Sequence, residues 1–226
     1  MKIKFHGHAF VEVDTGKYKI LIDPFITGNP NCDVKLEDVK CDFIIPTHGH
    51  GDNFGDTIEL AKRNNATVIG IYEIANYCTN KGVTAHPMNI GGGYNFPFGR
   101  VKLTIAHHSS TFTDGTYAGD AYGVLLSIDG KNFYQAGDTA LFYDMKLIGE
   151  MYKIDAAFIP IGDDFTMGVD DAVKAVEFIK PGVVVPIHYN TFDIIKSDAN
   201  DFKRKVESVG KKCIIMKAGD TLEIQV

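Results

Sequence analysis

Two histidines and an aspartate lie close together in the glycine-rich stretch Thr47-His48-Gly49-His50-Gly51-Asp52. The apolar run at residues 43–45 precedes them and predicts a short buried strand, so the glycines belong to the loop that leaves it. Alternate residues of an extended backbone point to the same side, and His48 and His50 can therefore direct both imidazoles at one point. Imidazole and carboxylate together suit zinc, iron, manganese or nickel better than calcium. The stretch predicts a transition-metal site.

Three further loops carry metal-binding residue types directly after a predicted strand. They are His107 and His108 after residues 101–105, Asp138 after residues 132–135, and His188 after residues 183–187. Neighbouring residues of a strand point to opposite faces, so we expect only one histidine of the doublet to face an ion. Four loops with this chemistry in this position indicate one site that is assembled from distant parts of the chain.

The remaining periodicity predicts an α/β protein. Strands are predicted at residues 2–5, 10–13, 18–22, 43–45, 67–71, 101–105, 123–128, 132–135, 156–161, 183–187, 214–216 and 221–224. Helices are predicted at residues 57–64, 72–80, 145–150, 170–180 and 199–208. Each half contains mostly strands and then helix and strand, which favours two sheets face to face with helices outside. We expect one domain over residues 1–226, a four-layer αββα sandwich with its site at strand ends.

The composition, with 45% hydrophobic and 23% charged residues, is typical of a globular protein. A formal charge of −6 without a basic block argues against a nucleic-acid surface built on positive charge. No apolar stretch approaches the roughly 18 residues of a membrane span, and the first residues lack an apolar signal core. Four scattered cysteines suit a reducing compartment. We expect a cytoplasmic protein that acts on a small molecule, and the sequence leaves a homo-oligomer open.

Taken in order, the motifs of the chain resemble the metallo-β-lactamase superfamily. The similarity is greatest to its small bacterial branch of metal-dependent hydrolases, the UPF0173 type, which is related to ascorbate-6-phosphate lactonases. The resemblance covers nearly the whole chain and rests on Gly7-His8-Ala9, Ile22-Asp23-Pro24-Phe25, Thr47-His48-Gly49-His50-Gly51-Asp52, Ala136-Gly137-Asp138-Thr139, Pro160-Ile161-Gly162 and Pro186-Ile187-His188-Tyr189. It implies the same αββα fold and a metal-dependent enzyme.

The resemblance also implies how the candidate residues divide between one or two divalent ions, which would be zinc, manganese, nickel or iron. The implied first site is His48, His50 and His108, because the family pattern Ala-x-His matches Ala106-His107-His108 and leaves His107 turned away. The implied second ion is held by Asp52 and His188, with Asp138 bridging both ions. Ions about 3.5–4 Å apart can share a hydroxide and stabilise attacking and leaving oxygens.

Other residues are expected to support these ligands. Asp52 and Asp138 are the implied catalytic residues, which orient the attacking water and relay its proton. His8 is expected to line the pocket, with a structural histidine as the alternative. Asp23 and Thr139 are candidates for accepting the second ring N–H of ligand histidines.

Asn53 departs from the family pattern, in which a histidine usually follows the aspartate of this motif. An amide oxygen is a weaker donor than imidazole for a transition metal, so we expect a weakened second site, either empty or filled by a harder ion. In the alternative interpretation, Asn53 only makes a hydrogen bond in the loop while Asp52 and His188 hold the ion.

The implied activity is hydrolysis, in which a metal-bound hydroxide attacks an electrophilic carbonyl or phosphoryl centre. A lactone or a phosphorylated sugar is the first expected substrate class, and a phosphodiester is the second. Because fold alone does not fix function, two alternatives stay open. One is a mononuclear iron or manganese oxidoreductase, favoured if Asn53 empties the second site, and the other is a metal-binding protein without turnover.

Overall fold

The computed structural model describes residues 1–224 and contains two mixed β-sheets. The strands are β1 (Lys2–Phe5), β2 (Val11–Asp14), β3 (Lys19–Ile22), β4 (Phe43–Ile45), β5 (Thr67–Ile71), β6 (Ala85–Met88), β7 (Gly93–Phe96), β8 (Gly99–Ile105), β9 (Tyr122–Ile128), β10 (Lys131–Gln135), β11 (Ala156–Pro160), β12 (Val183–Ile187) and β13 (Thr221–Glu223). The helices are α1 (Gly51–Phe54), α2 (Thr57–Asn64), α3 (Tyr72–Asn80), α4 (Met145–Met151), α5 (Val169–Ile179) and α6 (Ala199–Ser208).

The two sheets share one plan. The first has the order β13-β1-β2-β3-β4-β5-β6 and the second has the order β12-β11-β10-β9-β8-β7. In each, an antiparallel meander, β1 to β3 or β7 to β10, continues into parallel strands. The similarity of the two halves expected from the sequence is therefore present in the strand pairing.

Side-chain alternation along the strands separates two hydrophobic cores. In β9, Val124 and Leu126 pack between the sheets, whereas Leu125 faces the opposite way, toward α4, α5 and α6. On the other side, Leu60 of α2 and Ile74 of α3 pack onto the first sheet. Period-two burial of this kind lets one strand serve both an inner and an outer layer. The four-layer αββα sandwich predicted from the sequence is confirmed.

Element boundaries mostly agree with the predictions, and the differences have local causes. The strand predicted at 214–216 is absent, because the chain makes only an isolated bridge, Cys213 to Val184, beside β12. The polar strands β6 and β7 carry weak apolar patterns. The predicted loop at residues 51–54 is a helical turn, α1, closed by Gly55 at φ +47°.

No helix among residues 1–224 has both the length and the apolar character needed to cross a lipid bilayer.

Gly49, between β4 and α1, lies where the two sheets meet. A Cβ atom at this position would overlap the Ala118 methyl group and would lie 3.1 Å from the Thr111 carbonyl carbon and 3.2 Å from the Phe112 nitrogen. The Gly49 N–H donates to Ser110 Oγ at 3.1 Å, which fixes the loop against the second sheet. Only glycine allows this close approach of backbone to backbone.

We expect Gly49→Ala to lower the free energy of unfolding by about 1–3 kcal/mol, the usual cost of overpacking. The double variant Gly49→Ala, Ala118→Gly removes the closest overlap and should recover part of this loss. Urea unfolding of the three proteins measures both effects. Equal stability of Gly49→Ala and the unaltered chain would contradict the close approach.

Candidate metal centre

The loops that carry the candidate site residues lie at one edge of the sandwich. Strands β1, β3 and β4 run in one direction in the first sheet, and β8, β10 and β12 run in one direction in the second. Their carboxyl ends therefore meet, and the loops that follow them bring together His8, Asp23, His48, His50, Asp52, His108, Asp138 and His188. Sequence reasoning predicted sites at strand ends, and the topology explains why they converge.

Three histidines form a first cluster. The candidate ligand nitrogens of His48, His50 and His108 all lie within 4.8 Å of one another. His48 Nε2 is 3.0 Å from His50 Nδ1, and the three rings meet edge to face with centroids 4.6–5.1 Å apart. Three imidazoles that point at one volume leave the fourth position of a tetrahedral ion open.

Of the two adjacent histidines, His108 lies in the first cluster and His107 does not. The His108 side chain lies in the cluster, whereas His107 is exposed and its ring lies 5.0 Å from that of Phe142. The His107 backbone N–H donates to Thr139 Oγ1 at 3.0 Å, so the backbone of one histidine is fixed while the side chain of its neighbour turns inward.

A second cluster consists of His8, Asp52 and His188, whose candidate ligand atoms also lie within 4.8 Å of one another. His8 Nε2 is 3.3 Å from Asp52 Oδ2, and His188 Nε2 is 3.8 Å from the same oxygen. The ring centroids of His8 and His188 lie 4.1 Å apart, and the backbone N–H of His188 donates to the backbone carbonyl of His8 at 2.8 Å. Sequence reasoning placed His8 only at the pocket wall. The structure places it beside Asp52 and His188.

Asp138 lies between the two clusters. Its Oδ2 is 3.8 Å from His48 Nε2, 3.8 Å from His108 Nε2 and 2.9 Å from His188 Nε2. The residue is 2% exposed. Of the carboxylates at this edge in residues 1–224, it is the one in contact with histidines of both clusters.

Burial and mutual proximity set the charges of these groups. Burial lowers the pKa of His48 to about 3, so its imidazole is neutral at pH 7. Burial disfavours the charge of Asp138, but His188, His48 and His108 outweigh this cost and hold its pKa below the usual range. Burial likewise disfavours a charged His188, but Asp138 raises the pKa of His188 to about 9. Without an ion, a proton on His188 therefore balances the Asp138 charge.

Several buried ring nitrogens point into the site without a well-aligned hydrogen bond. His8 Nε2 and His188 Nε2 have only a carboxylate oxygen nearby, at 3.3 and 2.9 Å, and His48 Nε2 faces another ring nitrogen. A buried polar atom without a partner is costly, and a cation coordinated by these nitrogens would remove the cost. The donor set of imidazoles and carboxylates suits a transition metal, so both clusters fit an ion.

A buried network supports the first cluster. Thr47 Oγ1 is 3.1 Å from His48 Nδ1, and the Thr47 N–H and hydroxyl donate to the Asp23 carboxylate at 2.6 and 3.0 Å. Asp23 also accepts from Gln135 Nε2 at 3.0 Å, which connects the two sheets. Burial raises the pKa of Asp23 to about 8, although the hydrogen bonds from Thr47 oppose this. Asp23 acts on His48 through Thr47, and sequence reasoning missed Thr47 and Gln135 as supports.

Asn53 is turned toward Asp138. Its Nδ2 donates to Asp138 Oδ1 at 3.3 Å, and its Oδ1 has no hydrogen-bond partner. Asn53 is fully buried, in the helical turn that also carries Asp52. The Asn53 amide therefore makes a hydrogen bond to Asp138. The residue that joins Asp52 and His188 in the second cluster is His8.

The backbone is unusual where three of these side chains leave it. His8, Asp23 and His188 have φ values of 59°, 50° and 53°. Histidine and aspartate are among the residue types that tolerate this left-handed region, although each such residue carries strain. Thr139, the remaining predicted support, is buried and donates its hydroxyl to the Ala140 carbonyl.

The clusters open into a cavity of about 390 Å³. It is lined by His50, Asp52, His108, Ser109, Asp138, Phe165 and His188. The volume suits a small molecule, and the lining brings both clusters into contact with it.

The chain is similar to known proteins over nearly its whole length. A family model described as "Beta-lactamase superfamily domain" matches residues 18–189. A UPF0173 metal-dependent hydrolase of Anoxybacillus flavithermus is 51% identical over 228 residues, covering 99% of this chain and 100% of the relative. One from Bacillus cereus is 50% identical over 229 residues with the same coverage. The solved structure of Igni18, described as a novel metallo hydrolase from the archaeon Ignicoccus hospitalis, aligns with a TM-score of 0.91 at 39% identity over 99% of both chains.

The adjacent histidines form a matched pair for mutation. We expect His108→Ala to lose bound metal, because it removes one nitrogen of the first cluster, and we expect His107→Ala to keep its metal content. Elemental analysis of metal per chain after dialysis measures this. Greater metal loss from His107→Ala than from His108→Ala would overturn the assignment.

Proposed function

The chain belongs to the metallo-β-lactamase superfamily and is a metal-dependent hydrolase, and from the geometry of its site we propose that a two-ion centre acts on a small lactone or related ester. The observation that carries the proposal is the position of Asp138 between the two clusters, with one carboxylate oxygen near histidines of both. A carboxylate so placed suits a bridging ligand.

In this proposal, His48, His50 and His108 would hold a first ion. His8, Asp52 and His188 would hold a second, and Asp138 would serve both sites. When bound, such ions supply Lewis acidity, which lowers the pKa of water toward neutrality and polarises the electrophile. Zinc, manganese, nickel and iron all suit these ligands.

The chain itself supplies orientation and a proton acceptor. Asp52 and Asp138 both line the cavity. Burial disfavours the charge of Asp52, but the neighbouring His8 ring, 3.3 Å from its Oδ2, outweighs this and lowers the pKa of Asp52, so the carboxylate stays ionised at neutral pH. Asp52 is the more exposed of the two, and it is the group we assign to accept a proton and pass it to solvent. Thr47 and Asp23 keep the His48 ring in place, which preorganises the site.

Lactones and phosphorylated sugars are the first candidate substrates, and phosphodiesters are the second. All three present an electrophilic carbonyl or phosphoryl centre. The kinship with ascorbate-6-phosphate lactonases rests on motif resemblance alone. The mononuclear oxidoreductase was motivated by Asn53, and the location of His8 in the second cluster weakens that motive. Oxygen uptake by the iron-loaded chain, with no hydrolysis under any metal, would favour it.

The test uses the chain stripped of metal and reloaded with zinc, manganese, nickel or iron. We expect lactone hydrolysis only after reloading. Asp138→Ala should lower kcat/KM by at least about 100-fold, the upper range for losing a ligand's support. The control is Asp144→Ala, since Asp144 is exposed and its side chain caps no helix nitrogen. Equal losses in the two variants would contradict the central role of Asp138.

A second measurement addresses the second ion. We expect His8→Asn, which tolerates the left-handed backbone, to weaken binding of the second metal equivalent by at least about tenfold. Adding Asn53→His should restore part of this affinity, because position 53 lies beside Asp52 and Asp138 and imidazole is the stronger donor. Metal titration by calorimetry reports both. Two unchanged equivalents in His8→Asn would remove His8 from the site.

A further inference from the structure

An exposed aromatic side chain borders the cavity of the proposed active site. Phe165 lines the cavity with the candidate ligands, and 53% of its surface is exposed. Exposing a phenyl ring is unfavourable, and an aromatic side chain at the wall of a polar cavity is typical of a ligand contact. None of the metal chemistry described above uses Phe165.

The loop that carries Phe165 is held in one conformation. The Asp163 N–H donates to the Met167 carbonyl at 3.1 Å, and the Thr166 N–H donates to the Asp163 carbonyl at 2.8 Å. Met167 is buried, and its N–H donates to the Thr139 carbonyl at 3.1 Å, next to Asp138. The turn is therefore tied to the metal centre at its base while Phe165 extends from it.

Backbone strain in the same loop is consistent with a functional role. Asp163 and Asp164 have φ values of 60° and 36°. Gly162 packs against the His188 carbonyl so closely that a Cβ atom would overlap it. Strained conformations persist where the surrounding structure over-determines them, which is common at ligand-binding loops.

Beyond the candidate metal ligands, the described residues that line the cavity offer no basic side chain to an anionic substituent. The lining contains no lysine or arginine among residues 1–224. Asp163 and Asp164, the two residues before Phe165, are exposed. A phosphate group remote from the reacting carbonyl needs a cationic partner, which this lining does not supply, and the two aspartates add negative charge next to Phe165.

A second phenyl ring lies on the side of His8. Phe192 is 40% exposed, and its ring is 5.8 Å from that of His8 and 6.3 Å from that of Phe25. The second cluster is thus bordered by apolar rings.

We infer that the substrate is an uncharged ester or lactone with an apolar substituent, and that Phe165 is the residue that contacts this substituent. The inference rests on the proposed hydrolase function and narrows its substrate class by excluding the phosphorylated sugars.

The test compares three γ-lactones that differ only in their alkyl substituent, which is absent, ethyl or heptyl. A fourth substrate is 6-phosphogluconolactone. For the metal-loaded chain we expect kcat/KM to rise by at least about tenfold from the unsubstituted to the heptyl lactone, as burial of a few methylenes supplies. Phe165→Ala should remove most of this increase in kcat/KM, mainly by raising KM for the heptyl lactone. The same variant should change kcat/KM for the unsubstituted lactone by less than about twofold. Leu147→Ala, at an exposed apolar residue outside the cavity, is the control.

The double variant Asp163→Asn, Asp164→Asn checks the charge argument, and asparagine tolerates the left-handed backbone of both positions. It should leave the alkyl lactones unchanged and raise activity on 6-phosphogluconolactone. Equal loss of all lactones in Phe165→Ala, or a preference of the unaltered chain for the phosphorylated lactone, overturns the inference while the hydrolase proposal stands. If no lactone is hydrolysed under any metal, the proposed lactonase activity fails, and the inference fails with it.

Discussion

A carboxylate buried where the two sheets meet sets the conditions for the rest of the site. Asp138 is 2% exposed, and an ionised carboxylate in such a place is costly unless positive charge or hydrogen-bond donors surround it. Its nearest partners are the Asn53 amide and histidine side chains, of which His48 stays neutral because it is buried. The balancing charge must come from a proton on His188 or from bound cations. This need accounts for the position of the His188 ring, 2.9 Å from the Asp138 carboxylate.

Backbone strain marks the same edge of the sandwich. His8, Asp23 and His188 each lie after a strand and have positive φ. This conformation costs most residues about 1–2 kcal/mol. The cost is offset by fixed contacts: the His188 N–H reaches the His8 carbonyl, and Asp23 receives hydrogen bonds from Thr47 and Gln135. Side chains held in this way need little reorganisation when a ligand arrives.

The sequence predicted the architecture well because the strands that form it are apolar and clearly bounded. Residues 57–64 and 183–187 are helix and strand with the predicted ends, and the sites lie at strand ends. Local pattern could not place His8 next to Asp52, since their contact depends on the order of β1 to β4 in the first sheet. It also could not find Gln135, an ordinary strand residue that contacts Asp23 only across the sheets. The strands β6 and β7 were missed because their alternation is weak.

The shared plan of the two sheets has a consequence for how the protein matures. His48, His50, His8 and Asp52 come from the first sheet, whereas His108, Asp138 and His188 come from the second. Neither half contains a complete triad, so tight metal capture has to follow docking of the late-synthesised half onto the early one. Ion binding would then stabilise only the assembled chain, because a ligand that binds the native state alone stabilises it by mass action. Bound ions would thus hold together a fold whose long-range strand pairings form slowly.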